Sequence, residues 1–389
     1  MKIIFFGLLI RLFIAIWNSF VGPVLGAEGD ALTFHLIAQE YSASLEFEKF
    51  RYGWIYSFFL GIIYFLTYDY LLIGCFISCL AWFISAIIFD KTLSLMQIDP
   101  RNRNSALWLY VLMPSAVLFT SVTLREVYQL LFVTLAVYSA LKIYLDKELK
   151  YWFLLLISCI GMGILHVGLA AYAMFLIILV LYFQVSRKQF ITLESLIFYL
   201  PVIVTFGYLA IANYTVLSST GGTQYDFDQG LAFAVQNYQA GHNETRAMYV
   251  FKPEIDSFFG LLLFMPISLL QYLFEPLPWR ISTAFDLALF IENLVRGVLI
   301  FYLILFLHKS KGKTKKVSLF IFLAYFALEL LWAMGTVNWG AAARHHIPAL
   351  SLLIVGAFAT SITDNLTVFS TELVWLESCV VETPFTFTE

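Results

Sequence analysis

Long apolar stretches alternate with short polar connections along this chain, and many of the stretches have the length of a bilayer span. A helix rises about 1.5 Å per residue, so about 20 apolar residues cross a hydrocarbon core of about 30 Å. On that measure the pattern predicts ten spans, at about 3–22, 71–89, 105–122, 127–145, 151–165, 167–185, 190–212, 285–307, 317–336 and 347–363. Two further apolar stretches are left out. Residues 52–66 are too short, and residues 258–274 contain Pro266 and run into Glu275-Pro276-Leu277-Pro278-Trp279. Both are expected to lie along the interface or to enter and leave by one face. The predicted fold class is all-α: a polytopic transmembrane helical bundle of about ten spans with juxtamembrane or re-entrant helices on its outer side.

Composition agrees with the pattern. Hydrophobic residues make up 61% of the 389, charged residues 13%, and the mean hydropathy is +0.84; a soluble domain carries roughly 25% charged residues. The net charge of −3 says less than where the charges fall. With ten spans and a cytoplasmic N-terminus, Lys2, Lys91, Arg101, Arg103, Lys142, Lys147, Lys150, Arg187, Lys188 and the lysines at 309–316 share the cytoplasmic side. That is the distribution the positive-inside rule requires. A span at 52–66 would move Arg101-Asn102-Arg103 outside. The expected location is the plasma (inner) membrane, with both termini cytoplasmic and the active face extracytoplasmic. The first apolar run, interrupted by Arg11, fits an uncleaved anchor better than a signal peptide. Cys75, Cys79 and Cys159 lie in apolar spans and Cys379 in the tail, which suits neither a disulfide framework nor a zinc site.

Residues 1–364 therefore read as one transmembrane domain with two long outer segments, about 23–70 and 213–284. Residues 365–389 read as a loosely ordered cytoplasmic tail. No internal repeat is visible.

In so apolar a chain the polar residues carry the information, and they crowd the outer side. Glu28, Asp30 and His35 follow the first span. Arg125 and Glu126 cap the turn between the third and fourth, His166 sits at a tight hairpin, and Arg344, His345 and His346 end the last outer loop. These types suit sugar transfer from a lipid phosphate. One carboxylate takes the proton of an acceptor hydroxyl. A second shares that proton or a divalent cation, Mg²⁺ or Mn²⁺, with it. Arginine binds phosphate bidentately and neutralises a departing polyprenyl phosphate. Histidines donate to phosphate or position the acceptor. No phosphate-cradling glycine loop is present, and nothing suggests a nucleic-acid partner; the expected partners are a polyprenyl-phosphate-linked sugar and membrane lipids.

This arrangement resembles the GT-C superfamily of membrane glycosyltransferases, and within it the protein-mannosyltransferase and aminoarabinose-transferase branch, over about residues 3–190. The matching places are Glu28-x-Asp30, the aromatic segment Arg51-Tyr52-Gly53-Trp54, the stretch from Pro114 to Glu126, and the hairpin at His166. The resemblance implies a hexosyl or pentosyl transfer with Asp30 as catalytic base and Glu28 second to it. Arg344 matches in kind the basic residues of a late outer loop. The chain departs from the family in lacking an adjacent Asp-Glu pair and in carrying His166 where an arginine is common.

Each candidate also has a plainer explanation. Asp30 would make a good N-cap for a helix over 31–41. His35 is off the face of Asp30, and Glu40 suits solvent. Arg125 and Glu126 would neutralise each other. Arg11 needs an interior partner, Glu292 and Arg296 are spaced to pair as i and i+4, and Glu329 has no local partner. Two other functions stay open: a polysaccharide polymerase or ligase working with arginines and the segment 213–284, and a transporter or flippase using Glu292, Arg296 and Glu329 within the bilayer.

Overall fold

The computed structural model describes residues 1–44, 54–148, 150–185, 246–251 and 258–359. The expected span at 190–212, residues 51–53 of the aromatic segment, most of the segment 213–284 and the tail 365–389 lie outside the described residues.

Among the described residues the structure is helical, with one isolated antiparallel bridge between Met248 and Asn338. In chain order the helices are α1 (Lys2–Phe20), α2 (Glu28–Ser44), α3 (Ile55–Leu66), α4 (Leu71–Leu95), α5 (Pro100–Leu112), α6 (Pro114–Phe119) and α7 (Glu126–Asp146). They continue with α8 (Lys150–Leu165), α9 (Val167–Val185), α10 (Phe258–Phe274), α11 (Ala284–Lys309), α12 (Gly312–Met334), α13 (Trp339–His345) and α14 (Leu350–Phe358). Five of them, α1, α4, α7, α11 and α12, are long and apolar enough to cross a membrane. The count becomes six if α13 and α14, bent by 67°, form one broken span.

The expected ten spans are thus not reached among the described residues, and the shortfall has local causes. The stretch at 105–122 divides because Met113 precedes Pro114, which disfavours helical backbone there; Met113 is extended, at φ −56 and ψ 118. Pro348 lies in the turn between α13 and α14. Helix α8 has only 16 residues. The two stretches left out as spans are indeed short helices: α3 has 12 residues, and α10 has 17 and continues through Pro266.

Helix starts follow their side chains. Asp99 caps α5, its carboxylate accepting from the N–H groups of Arg101 and Asn102, both at 3.1 Å, with Pro100 in the first turn. Thr283 and Asp286 form a capping box on α11. The Asn338 side chain accepts from Ala341 N–H at 2.8 Å and starts α13. Helix α2 begins at Glu28, so Asp30 stands inside its first turn and is not the cap.

One stripe of α1, Ile4, Gly7, Arg11 and Ala15, faces the bundle. Gly7 allows a close approach: a Cβ there would sit 2.5 Å from Val111 Cγ1 and 2.6 Å from the Trp82 ring. Fully buried Arg11 lies over Trp82 at 3.5 Å, and donates to Thr120 Oγ1 at 2.8 Å and to the Val111 carbonyl at 3.1 Å. Its partners are a hydroxyl, carbonyls and a ring, so it ties α1 to α4, α5 and α6. Helix α3 supports α2: Ser57 donates to the Phe34 carbonyl at 3.0 Å, and buried His35 bonds the Tyr64 hydroxyl at 2.8 Å. Burial lowers the His35 pKa, with Asp69 opposing, so His35 is a neutral packing residue.

Candidate functional site

Asp30 and Arg344, 314 positions apart, form an ion pair between the first turn of α2 and the C-terminal end of α13. The Asp30 side chain is 56% exposed and that of Arg344 16%. Arg344 Nε is buried and has no hydrogen-bond partner among the described residues. Arg125, just ahead of α7, places its guanidinium 5.7 Å from the centre of the Phe34 ring, one helical turn beyond Asp30. Among the described residues Arg125 forms no ion pair, so the expected neutralisation by Glu126 does not occur. Glu126 is buried in the first turn of α7, where the helix N-terminus favours its charge, and its Oε2 has no hydrogen-bond partner among the described residues. Glu28 is exposed one helical position behind Gly29.

A ring the sequence did not single out joins the remaining candidates. Trp332, buried near the end of α12, stacks on His345 at 4.4 Å and 18°, and meets His166 at 4.8 Å. In the sequence it is one of nine tryptophans within an apolar run. His166 sits between α8 and α9, where its Nδ1 accepts from Gly168 N–H at 3.1 Å. Burial, reinforced by Arg125, lowers its pKa to about 3, so the ring is neutral. Asp30, Arg125, His166, Arg344 and His345 are thereby linked through Phe34 and Trp332, four of them coming from loops or helix ends.

His345 and His346 point apart. His346 Nε2 is 3.0 Å from the Tyr272 carbonyl, an acceptor only, so this nitrogen carries a proton; Nδ1 is 2.7 Å from Glu329 Oε2. Both nitrogens are used, and Glu329 has a partner that its sequence neighbours did not reveal. Glu292 and Arg296 pair as expected, at 3.1 Å. Glu292 also accepts from Ser115 Oγ at 2.5 Å and Ser115 N–H at 2.9 Å. Arg296 donates to Asn293, whose amide reaches the Glu275 carbonyl at 2.7 Å. The three charged residues that a transport path would need are all engaged within the protein.

A second layer fixes α13. Trp339 is buried and donates to Asp286 Oδ1 at 3.1 Å, and Arg246 pairs with the same carboxylate at 2.5 Å. Arg280 lies 4.5 Å from the centre of the Trp339 ring, pairs with Glu275 at 2.9 Å and donates to the Met248 carbonyl at 2.6 Å. Residues 246–251 also bond the backbone of Val337 and Trp339. By contrast Trp279 is 78% exposed.

Among the described residues no group of three or more His, Cys, Asp and Glu is arranged to hold a metal ion. Glu28 and Asp30, the expected pair for one, stand two positions apart in the first turn of α2 and do not face each other. No protein family, curated protein or solved structure matches the chain.

Proposed function

We propose that the protein is a membrane glycosyltransferase that moves a sugar from a polyprenyl-phosphate donor to a hydroxyl of a glycan, lipid or protein acceptor, at the extracytoplasmic face. The observation that carries this is the meeting of Asp30 with Arg344 beside Arg125, a carboxylate and two guanidiniums on a chain built of apolar helices. The resemblance of the first 190 residues to GT-C glycosyltransferases supports the same reading.

In the transfer, Asp30 takes the acceptor hydroxyl proton as that oxygen bonds the anomeric carbon. The bond from that carbon to the phosphate oxygen breaks, and its electron pair leaves with the polyprenyl phosphate. Arg344 and Arg125 stabilise the charge that develops there. Glu28, two positions before Asp30 in the same helical turn, does not face it, so the two are not assigned a shared cation. The test is transfer of radiolabelled sugar from polyprenyl phosphate by the protein in lipid nanodiscs. Asp30→Asn abolishes transfer while the protein still folds; a variant that turns over like wild type refutes the assignment.

The two arginines also suit a polymerase or ligase joining lipid-linked oligosaccharides. Activity that survives strong chelation but is lost in Arg344→Ala favours that alternative.

A further inference from the structure

The hydrogen bonds around Trp332 assign the protons on its two imidazole neighbours. Thr336 Oγ1 lies 2.7 Å from the Trp332 carbonyl oxygen, so its one hydrogen is directed there. The same oxygen is 2.8 Å from His345 Nδ1 and is left to accept. His345 Nδ1 therefore bears the proton and its Nε2 presents a lone pair. His166 is the converse: Nδ1 accepts from Gly168 N–H, so in the neutral ring Nε2 bears the proton. Neither Nε2 has a hydrogen-bond partner among the described residues, and both residues are of intermediate exposure. Burial favours the neutral form of both rings, and the guanidiniums of Arg344 and Arg125 at His345, and of Arg125 at His166, add to it.

Two neutral rings held by one buried indole thus offer one acceptor and one donor. A phosphodiester, as in a sugar linked to a polyprenyl phosphate, has only acceptors to offer and meets the lone pair of His345 unfavourably. A metal ion needs lone pairs and meets the N–H of His166. A hydroxyl group both donates and accepts. We infer that His166, Trp332 and His345 form a binding site for a hydroxyl-bearing ligand, a sugar or other polyol, with His345 Nε2 accepting from its hydroxyls and His166 Nε2–H donating to them. Trp332 is a positioning residue that sets the two rings against each other. Under the transfer reading, on which this step alone rests, the ligand is the acceptor, and the phosphate stays with the arginines.

The experiment is nitrogen NMR of ¹⁵N-histidine-labelled protein in nanodiscs, with each of His166 and His345 identified by substitution. The expected wild-type spectrum has His345 protonated at Nδ1 and His166 at Nε2. Titration with a methyl glycoside shifts both Nε2 resonances and saturates, and Trp332→Leu weakens that binding by about fivefold, the loss of roughly one net hydrogen bond. Dimethyl phosphate, which can only accept, and Zn²⁺ leave the resonances in place. The opposite tautomers, no response to the glycoside, or a response to dimethyl phosphate or Zn²⁺ instead would overturn the inference. In the transfer assay, His345→Ala raises the acceptor KM about fivefold with the donor KM unchanged, and His345→Gln, whose carbonyl can accept, recovers part of the loss. Absence of any transfer by the wild type, with the glycoside shifts present, removes the glycosyltransferase reading and leaves the polyol site standing; transfer with an unchanged acceptor KM in His345→Ala shows that the ligand of this site is not the acceptor.

Discussion

Replacing Glu292 by alanine is expected to cost the protein about 3–5 kcal/mol, the price of leaving one member of a buried ion pair alone. The carboxylate is 1% exposed and Arg296 4%. Alanine would strand the guanidinium and also remove the acceptor for Ser115 N–H and Oγ, which links α6 to α11. The unpaired groups overlap, so their separate costs do not add. Unfolding can be followed with a thiol-reactive dye, because Cys75, Cys79 and Cys159 are buried and free; Cys379 is first changed to serine. The expected fall in midpoint is on the order of 10 °C. The double variant Glu292→Leu/Arg296→Met removes both charges and should lie within about 2 kcal/mol of wild type, since well-packed apolar residues often replace a buried pair without loss. If Glu292→Ala loses less than about 1 kcal/mol, or the double variant unfolds as early as the single one, the account of a desolvated, mutually dependent pair is refuted.

Gly7→Val should destabilise by about 1–3 kcal/mol through overpacking against Val111 and Trp82. Gly29→Ala, which meets nothing within 4 Å, should stay within about 0.5 kcal/mol in the same dye assay. The His166 pKa is depressed from 6.5 to about 3, so its contribution is fully present above 6.5 and declines as pH falls toward 3. His166→Asn should track wild type above pH 6.5 and lose less stability below it; parallel curves throughout would show that His166 is not held neutral.

How much of this was legible in the sequence depended on the distance between partners. Glu292 and Arg296 are one turn apart on a single helix, and their pairing followed from spacing alone. Glu329 pairs across the break between α12 and α13, with a histidine 17 residues on, and no local pattern marks that contact. Asp30, Arg125, His166 and Arg344 stood out because polar groups are rare beside apolar spans. Trp332 did not, because an indole in an apolar run looks like any core residue until its neighbours are known. Where an expected span is divided among the described residues, as at 105–122, hydropathy does not register the backbone cost of a proline such as Pro114, which leaves pieces too short to cross. Helix α2 starts three residues earlier than the expected 31, enough to turn Asp30 from a supposed cap into a first-turn residue.

The contact between Asp30 and Arg344 also has a consequence in time. Chains are synthesised from the N-terminus at about 5–20 residues per second, so 314 residues separate the two partners by roughly 15–60 seconds of translation. During that interval α1 and α2 are already made while Asp30 has no arginine to meet. The acidic group therefore waits, uncompensated, through most of biogenesis, and the site is completed only when the short helix bearing Arg344 arrives. A ribosome stalled before Arg344 would leave a bundle with its N-terminal helices present and its chemistry unassembled.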